Sequence, residues 1–241
     1  MTINIGTSGW HYTHWKGDFY PSEMRAADYL EFYSQHFATV EVNNSFYRLP
    51  SEEALRSWAE TVPEHFRFSV KASRFITHNK KLKDAPQSFG MFFERIKILS
   101  PRLGPILFQL PPRWKYNGER FEEFLQSLSN EFNYVFEFRN QDWMRDDAFS
   151  LLQKYKASYC VHDMPDSQSP ILTTSNIAYV RFHGWAGTYG GSYSDSQLND
   201  WAETLLKWQQ QGFTSYVYFN NDLGGHAPRN AVTLYGLTHR R

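Results

Sequence analysis

The sequence contains a single cysteine, Cys160, and no excess of either charge. One cysteine excludes an internal disulfide and every metal motif that is built from several cysteines. Lys and Arg number 25 and so do Asp and Glu, so no net field attracts the chain to nucleic acid or to a membrane surface. A chain without an internal disulfide is typical of a reducing compartment, and we expect a cytoplasmic protein.

Long apolar runs are absent as well. No stretch approaches the roughly 18 apolar residues that span a bilayer, and the opening MTINIGTSGW has no basic segment followed by an apolar one. The 241 residues show no repeat, no low-complexity segment and no Gly/Ser linker. We therefore expect a soluble protein without membrane contacts, folded as one domain over residues 1–241.

Aromatic residues, in contrast, are abundant at 18% and supply material for a large core. Short β-rich runs alternate with amphipathic segments, and the eight runs are 3–8, 39–43, 67–72, 105–110, 134–139, 158–163, 178–183 and 215–220. Helical spacing is clearest around Leu198, Trp201 and Leu205, with Ser194 or Asp195 as the N-cap and Gly212 as the stop.

This alternation predicts an α/β fold, a single (β/α)8 TIM-type barrel with one degenerate βα unit around residues 164–176. An open doubly wound sheet is the alternative. It is disfavoured because no Gly-rich fingerprint follows the first strand.

Charged residues interrupt the predicted strands with a period of two. In YVFEFRN (134–140), Glu137 and Arg139 alternate with helix-facing Phe136 and Phe138. Alternate residues of a barrel strand face the interior, and the inward set elsewhere is Glu41, Asn43, Ser69, Lys71, Gln109, Arg181, His183, Tyr218 and Asn220. Barrel enzymes collect their functional groups at the carboxyl ends of the strands. The alternative is a structural plug of buried ion pairs.

Several blocks resemble the YecE-like proteins, domain of unknown function 72. The blocks are GTSGWHYTHWKGDFYP (6–21), VEVNNSFYRLP (40–50), FSVKASRFITH (68–78), LGPILFQLPP (103–112), FEFRNQDW (136–143), YVRFHG (179–184), YVYFNND (216–222) and APRNA (227–231). They cover nearly the whole chain in order. The resemblance implies a TIM-type barrel and brings no reaction with it.

The residue types indicate what the site can do. Glu41 and Glu137 suit general acid/base catalysis, and Lys71 can bind an anion or act as an amine nucleophile if its pKa is depressed. His183 can relay protons. These four are the candidate catalytic residues. The candidate substrate-binding residues, which offer cationic, hydrogen-bonding or aromatic contacts, are Asn43, Gln109, Arg139, Arg181, Asn220, Asn221, Asp222, His78, Trp10 and Tyr12.

The sequence contains no HExxH, HxH or clustered cysteine motif, and we expect neither a metal nor a cofactor. The favoured prediction is a metal-independent hydrolase, lyase or isomerase acting on a small polar, anionic, sugar- or phosphate-like molecule. One alternative is a nucleic-acid-binding or metal-dependent endonuclease-like barrel that uses the basic loop 73–83. The other is a non-catalytic protein that binds a metabolite or partner. The oligomeric state is left open.

Overall fold

Eight parallel strands follow one another around a barrel in the computed structural model, which describes residues 1–164, 167, 169–186 and 189–239. The strands are β1 Ile3–Thr7, β2 Thr39–Val42, β3 Arg67–Lys71, β4 Leu103–Gln109, β5 Tyr134–Glu137, β6 Ser158–Asp163, β7 Ile177–Phe182 and β8 Thr214–Phe219. Their order is β1-β8-β7-β6-β5-β4-β3-β2. A parallel bridge between Ser8 and Glu41 joins the two ends of the sheet and closes the barrel.

Seven helices surround the strands in the part of the chain that the structure describes. They are α1 Tyr29–His36, α2 Glu52–Thr61, α3 Ala85–Ile96, α4 Gly118–Ser127, α5 Asp146–Lys154, α6 Asp195–Gln210 and α7 His226–Thr238. None of the described helices is long and apolar enough to cross a membrane. The described residues between β6 and β7 form no helix, which confirms the degenerate unit; Pro165, Asp166 and Gln168 of that unit lie outside the described residues.

Helix α6 shows how local sequence sets the element boundaries. The Ser194 side chain accepts a hydrogen bond from the Gln197 backbone N–H, and the Gln197 side chain accepts one from the Ser194 backbone N–H. This capping box satisfies two amides that the helix leaves unpaired. At the other end Gly212 has a φ of +92°, which favours glycine. Both predicted boundaries are confirmed.

The strands have the two faces that their alternation predicts. Phe68, Phe136 and Phe138 are buried in the large core between sheet and helices. Inside the barrel a separate apolar cluster contains Leu107, Val135, Cys160, Tyr179 and Tyr218. The interior is therefore filled by side chains at its centre, and Cys160 is a packing residue.

Several predicted strands end earlier than the sequence pattern indicates. Strand β5 stops at Glu137, so Arg139 lies on the following loop. Asn43, His183 and Asn220 likewise come just after their strands. Interstrand hydrogen bonds still hold two of them, because the His183 N–H donates to Asp163 O at 3.0 Å and the Asn220 N–H to Phe182 O at 2.7 Å. These side chains keep the orientation of the barrel interior.

Candidate functional site

Arg181 lies between two glutamates at the carboxyl end of the barrel. Its Nη2 and Nε donate to Glu41 Oε1 at 2.8 and 3.1 Å, and its Nη1 donates to Glu137 Oε2 at 2.6 Å. All three residues are buried, at 1% exposure or less. Buried charges are tolerated when they are paired and hydrogen-bonded. We call Glu41, Glu137 and Arg181 the inner network.

Two further side chains complete the environment of Glu41. Ser8 Oγ donates to Oε1 at 2.8 Å, and Tyr179 Oη donates to Oε2 at 2.6 Å. Neither residue is among the predicted site residues. The period-two pattern contains the missing signal, because Tyr179 precedes Arg181 by two positions on β7 and shares its inward direction.

Glu137 carries a second set of partners on its other oxygen. Arg139 Nη1 donates to Oε1 at 2.7 Å, and His183 Nε2 lies 3.3 Å from the same atom. Burial alone would raise the pKa of Glu137, but Arg181 and Arg139 hold that pKa well below its usual range. Glu137 is therefore a permanent carboxylate near neutral pH.

The hydrogen bonds of His183 indicate which nitrogen carries its proton. Asn220 Nδ2 donates to Nδ1 at 3.1 Å. Nε2 is 3.3 Å from both Glu137 Oε1 and Arg139 Nη1; with Nδ1 accepting, Nε2 bears the hydrogen and Glu137 is its acceptor. Burial lowers the pKa of His183 to about 3. The ring is therefore neutral and fixed in this tautomer.

Lys71, the last residue of strand β3, differs from the inner network in its lack of charged hydrogen-bond partners among the described residues. Its Nζ lies 4.3 Å from the centroid of the Phe46 ring. Among the residues that the structure describes, no hydrogen-bond acceptor or carboxylate pairs with this Nζ. Burial, followed by the charge of Arg181, lowers the pKa of Lys71 to about 8. Lys71 is thus a partly buried amine without a counterion.

His78 also contacts the Phe46 ring. It belongs to the π-helical turn Phe75–Asn79 after β3, and its ring centroid is 5.0 Å from that of Phe46. Its Nδ1 is 2.9 Å from Thr77 Oγ1. Burial, then the charges of Lys71 and Arg74, lowers the pKa of His78 to about 4. A neutral imidazole therefore lies in the electrostatic neighbourhood of the Lys71 amine.

Three further predicted residues lie at the end of β4, just after β2 and in the first loop. Gln109 is half-buried and in register with Glu137. Tyr12 Oη donates to Ser8 O at 2.8 Å, and burial raises its pKa. Asn43 has a buried Oδ1 without a partner in the described structure. These three border the site.

Trp10 and Asn221 have mainly structural contacts. The Trp10 ring packs edge-on against Trp58 at 4.9 Å, and the two line a pocket of about 710 Å³ beside α2. Asn221 is fully buried, and its Nδ2 donates to Gly191 O and to Asn230 Oδ1, both at 2.9 Å. Trp10 therefore packs between helix and strand, and Asn221 joins a loop to α7.

Asp222 accepts from Trp15 Nε1 at 2.7 Å, and His14 Nε2 lies 3.2 Å from the same carboxylate. Burial raises the pKa of Asp222. The contacts anchor the first loop, which includes the 3-10 helix Thr13–Trp15, to the segment after β8.

In the basic loop 73–83, Lys80 forms an exposed ion pair with Asp84 at 3.0 Å.

The donor set fits a metal ion poorly. The described residues include no group of three or more His, Cys, Asp or Glu side chains arranged to hold one. The oxygens of Glu41 and Glu137 already accept from Arg181, so a cation bound there would face a guanidinium directly.

Fold and site together define a TIM-barrel protein of the α/β class, with an arginine–glutamate network and a partly buried lysine at the carboxyl end of its strands. The chain belongs to the family described as Protein of unknown function DUF72, which it matches over residues 4–241. The resemblance found in the sequence motifs is thereby confirmed.

Relatives and solved structures agree with this assignment. The UPF0759 protein YunF of Bacillus subtilis is 30% identical over 98% of this chain and 94% of its own length. The UPF0759 protein YecE of Escherichia coli is 34% identical over 57% of this chain and 48% of its own. A DUF72 family crystal structure from Thermotoga maritima has a TM-score of 0.91 and 27% identity, covering 100% of both chains. A second from Enterococcus faecalis has a TM-score of 0.85 and 21% identity, covering 100% of this chain and 96% of its own, and shows the shared fold.

Proposed function

We propose that the protein is an enzyme that binds a small anionic, sugar- or phosphate-like molecule at the carboxyl end of the barrel and acts on it. The observation that carries the proposal is a pair of cationic side chains with unused donors. Among the described residues, Lys71 Nζ has no hydrogen bond or ion pair and contacts the face of Phe46, and Arg139 uses only Nη1 in its hydrogen bonds. We call Lys71 and Arg139 the outer pair.

The charge balance supports an anionic ligand. When Lys71 is protonated, the inner network and outer pair together contain three cations and two carboxylates. His78 and His183 are neutral because burial lowers the pKa of each, to about 4 and about 3. A bound carboxylate or phosphate would supply the counterion that the described residues do not. Arginine offers such groups two parallel N–H donors.

The geometry favours different roles for the glutamates and for the outer pair. Both glutamates are fully buried. The oxygens of each accept hydrogen bonds from Arg181 and from other neutral or cationic side chains. In this proposal Glu41 and Glu137 position the arginines, whereas Lys71 and Arg139 contact the substrate. Cations that are fixed in advance stabilise negative charge that develops in a transition state.

Binding of inorganic phosphate, measured by isothermal titration calorimetry, tests the anion site. We expect Lys71→Met and Arg139→Gln each to weaken binding at least about tenfold, since a hydrogen bond to a charged group contributes roughly 1.5–3 kcal/mol. Lys207→Met is the matched control, because Lys207 is exposed in the last turn of α6. Equal affinity in all four proteins would overturn the proposal.

Turnover tests the enzymatic part separately. A panel of phosphorylated sugars and small hydroxy and keto acids is incubated with the protein and followed by proton NMR. We expect at least one compound to be converted by the wild-type protein and by Lys207→Met, and not by Lys71→Met. Tight binding of the panel without any conversion would contradict catalysis and support a metabolite-binding protein.

A further inference from the structure

We infer that Lys71 forms an imine with the carbonyl carbon of an anionic aldehyde or ketone held by Arg139. The inference rests on the proposed function, because the same site has to bind the anionic group. It narrows the reaction to the lyases and isomerases, which use an imine to withdraw electrons from a neighbouring carbon.

The first argument is the distribution of charge. Arg181 pairs with both Glu41 and Glu137, and Arg139 takes the remaining oxygen of Glu137. The two arginines therefore balance the two glutamates. A protonated Lys71 adds a charge without a partner, whereas a neutral Lys71 leaves the cluster balanced. Since burying an unpaired charge is costly, the site increases the fraction of the free amine, which is the nucleophilic form.

The ionisation of Lys71 agrees with this geometry. Burial is the main cause that lowers its pKa to about 8. Relative to an ordinary lysine, this raises the fraction of free amine near neutral pH by roughly two orders of magnitude. The contact with the Phe46 ring, at 4.3 Å, opposes the shift because the ring attracts the ammonium form. The ring also limits the directions from which water reaches the amine.

Three other lysines have the opposite environment. Lys80, Lys97 and Lys154 are each at least 38% exposed, and each forms an ion pair, with N–O distances of 3.0, 3.0 and 2.6 Å. An ion pair with a carboxylate keeps an amine protonated. Lys71 differs from them in burial and in partner, which are the two properties that decide nucleophilicity.

The chemistry balances without an added oxidant or reductant. The Nζ lone pair attacks the carbonyl carbon and forms a C–N bond, while the π electrons of the C=O bond move to oxygen. A proton passes from nitrogen to that oxygen and gives a carbinolamine. Protonation of the hydroxyl and loss of water then give the imine. We assign these proton transfers to neutral His78, which contacts the same Phe46 ring as Lys71, and hydrolysis returns the free amine.

Reductive trapping with glyoxylate tests the inference. Glyoxylate is a small aldehyde with a carboxylate, and cyanoborohydride reduces its imine to a stable carboxymethyl-lysine that peptide mass spectrometry locates. We expect labelling at Lys71 to be at least tenfold faster than at Lys207. Arg139→Gln should slow labelling by glyoxylate while leaving labelling by the neutral propionaldehyde nearly unchanged. Lys71→Arg should keep phosphate binding and lose the adduct.

The outcomes separate the two proposals. If phosphate binds but Lys71 is labelled no faster than Lys207, the imine is overturned and the anion site stands. If glyoxylate and propionaldehyde label Lys71 equally fast and phosphate does not bind, the anionic substrate class is overturned, and with it the role of Arg139 in this inference.

Discussion

The inner network and the outer pair lie at the same end of the barrel, but their charged side chains differ in burial and in the number of hydrogen-bond partners. Arg181, Glu41 and Glu137 are at most 1% exposed, and each makes several short hydrogen bonds. Lys71 has no acceptor in the described structure, and Arg139 has one carboxylate partner and a side chain that is 13% exposed.

The difference separates charges that maintain the structure from charges that are available to a ligand. A buried charge with partners on every side is costly to remove, because the partners are then left unpaired. A cation without a partner destabilises the protein slightly and binds an anion well. The following three substitutions test this comparison, from the largest expected effect to the smallest.

Replacing Arg181 by methionine breaks the inner network. Glu41 and Glu137 would remain buried next to each other without the guanidinium that joins them. We expect the free energy of unfolding to fall by about 3–5 kcal/mol, as measured by urea denaturation at pH 7.

Arg229→Met is the control for this substitution. Arg229 pairs with Asp18 at 2.6 Å, but the side chains are 55% and 46% exposed, so the loss should stay below about 1 kcal/mol. A loss of that small size for Arg181→Met as well would contradict the distinction between the two regions.

Glu137→Gln keeps the shape of the side chain and removes its charge. We expect a loss of about 2–4 kcal/mol at pH 7, because two arginines lose their shared carboxylate. The folded pKa of Glu137 lies well below its usual range, so its stabilisation is present above the unfolded pKa of about 4.3 and is lost as the pH falls through the folded pKa.

Urea denaturation of both proteins between pH 3 and pH 7 measures this dependence. The stability difference between wild type and Glu137→Gln should be constant above pH 5 and should narrow below about pH 4. A difference that stays the same down to pH 3 would indicate that the charge of Glu137 contributes nothing to stability.

Lys71→Met should have the smallest effect and the opposite sign. Methionine removes an unpaired, partly buried charge, and we expect stability at pH 7 to rise by about 1–2 kcal/mol. The pKa of Lys71 is about 8 in the folded protein and about 10.4 when unfolded. The penalty is complete below pH 8 and is relieved as the pH rises towards 10.4, so the advantage of the variant should shrink over that range. A destabilised variant at pH 7 would show that Lys71 is a structural residue.

Much of this site follows from strand periodicity. Glu41, Glu137 and Arg181 are predicted to face inward because Val40, Phe136 and Val180 beside them are apolar and face the helices. The same rule applies to Tyr179, whose bond to Glu41 only the structure reveals. Trp10 shows the limit of the reasoning, since its sequence predicts an aromatic contact without a partner, and only the structure shows that the ring packs against Trp58 and lines a pocket.

The sequence by itself determines the barrel, its degenerate unit and the end at which charged side chains gather, because periodicity and capping are local properties of the chain. Only the tertiary structure decides which charged side chains form ion pairs with one another. Arg181 lies 140 positions from Glu41 and 44 from Glu137 in the chain, and no local rule pairs residues so far apart. That Lys71 has no carboxylate partner among the described residues likewise depends on how the strands are arranged in space.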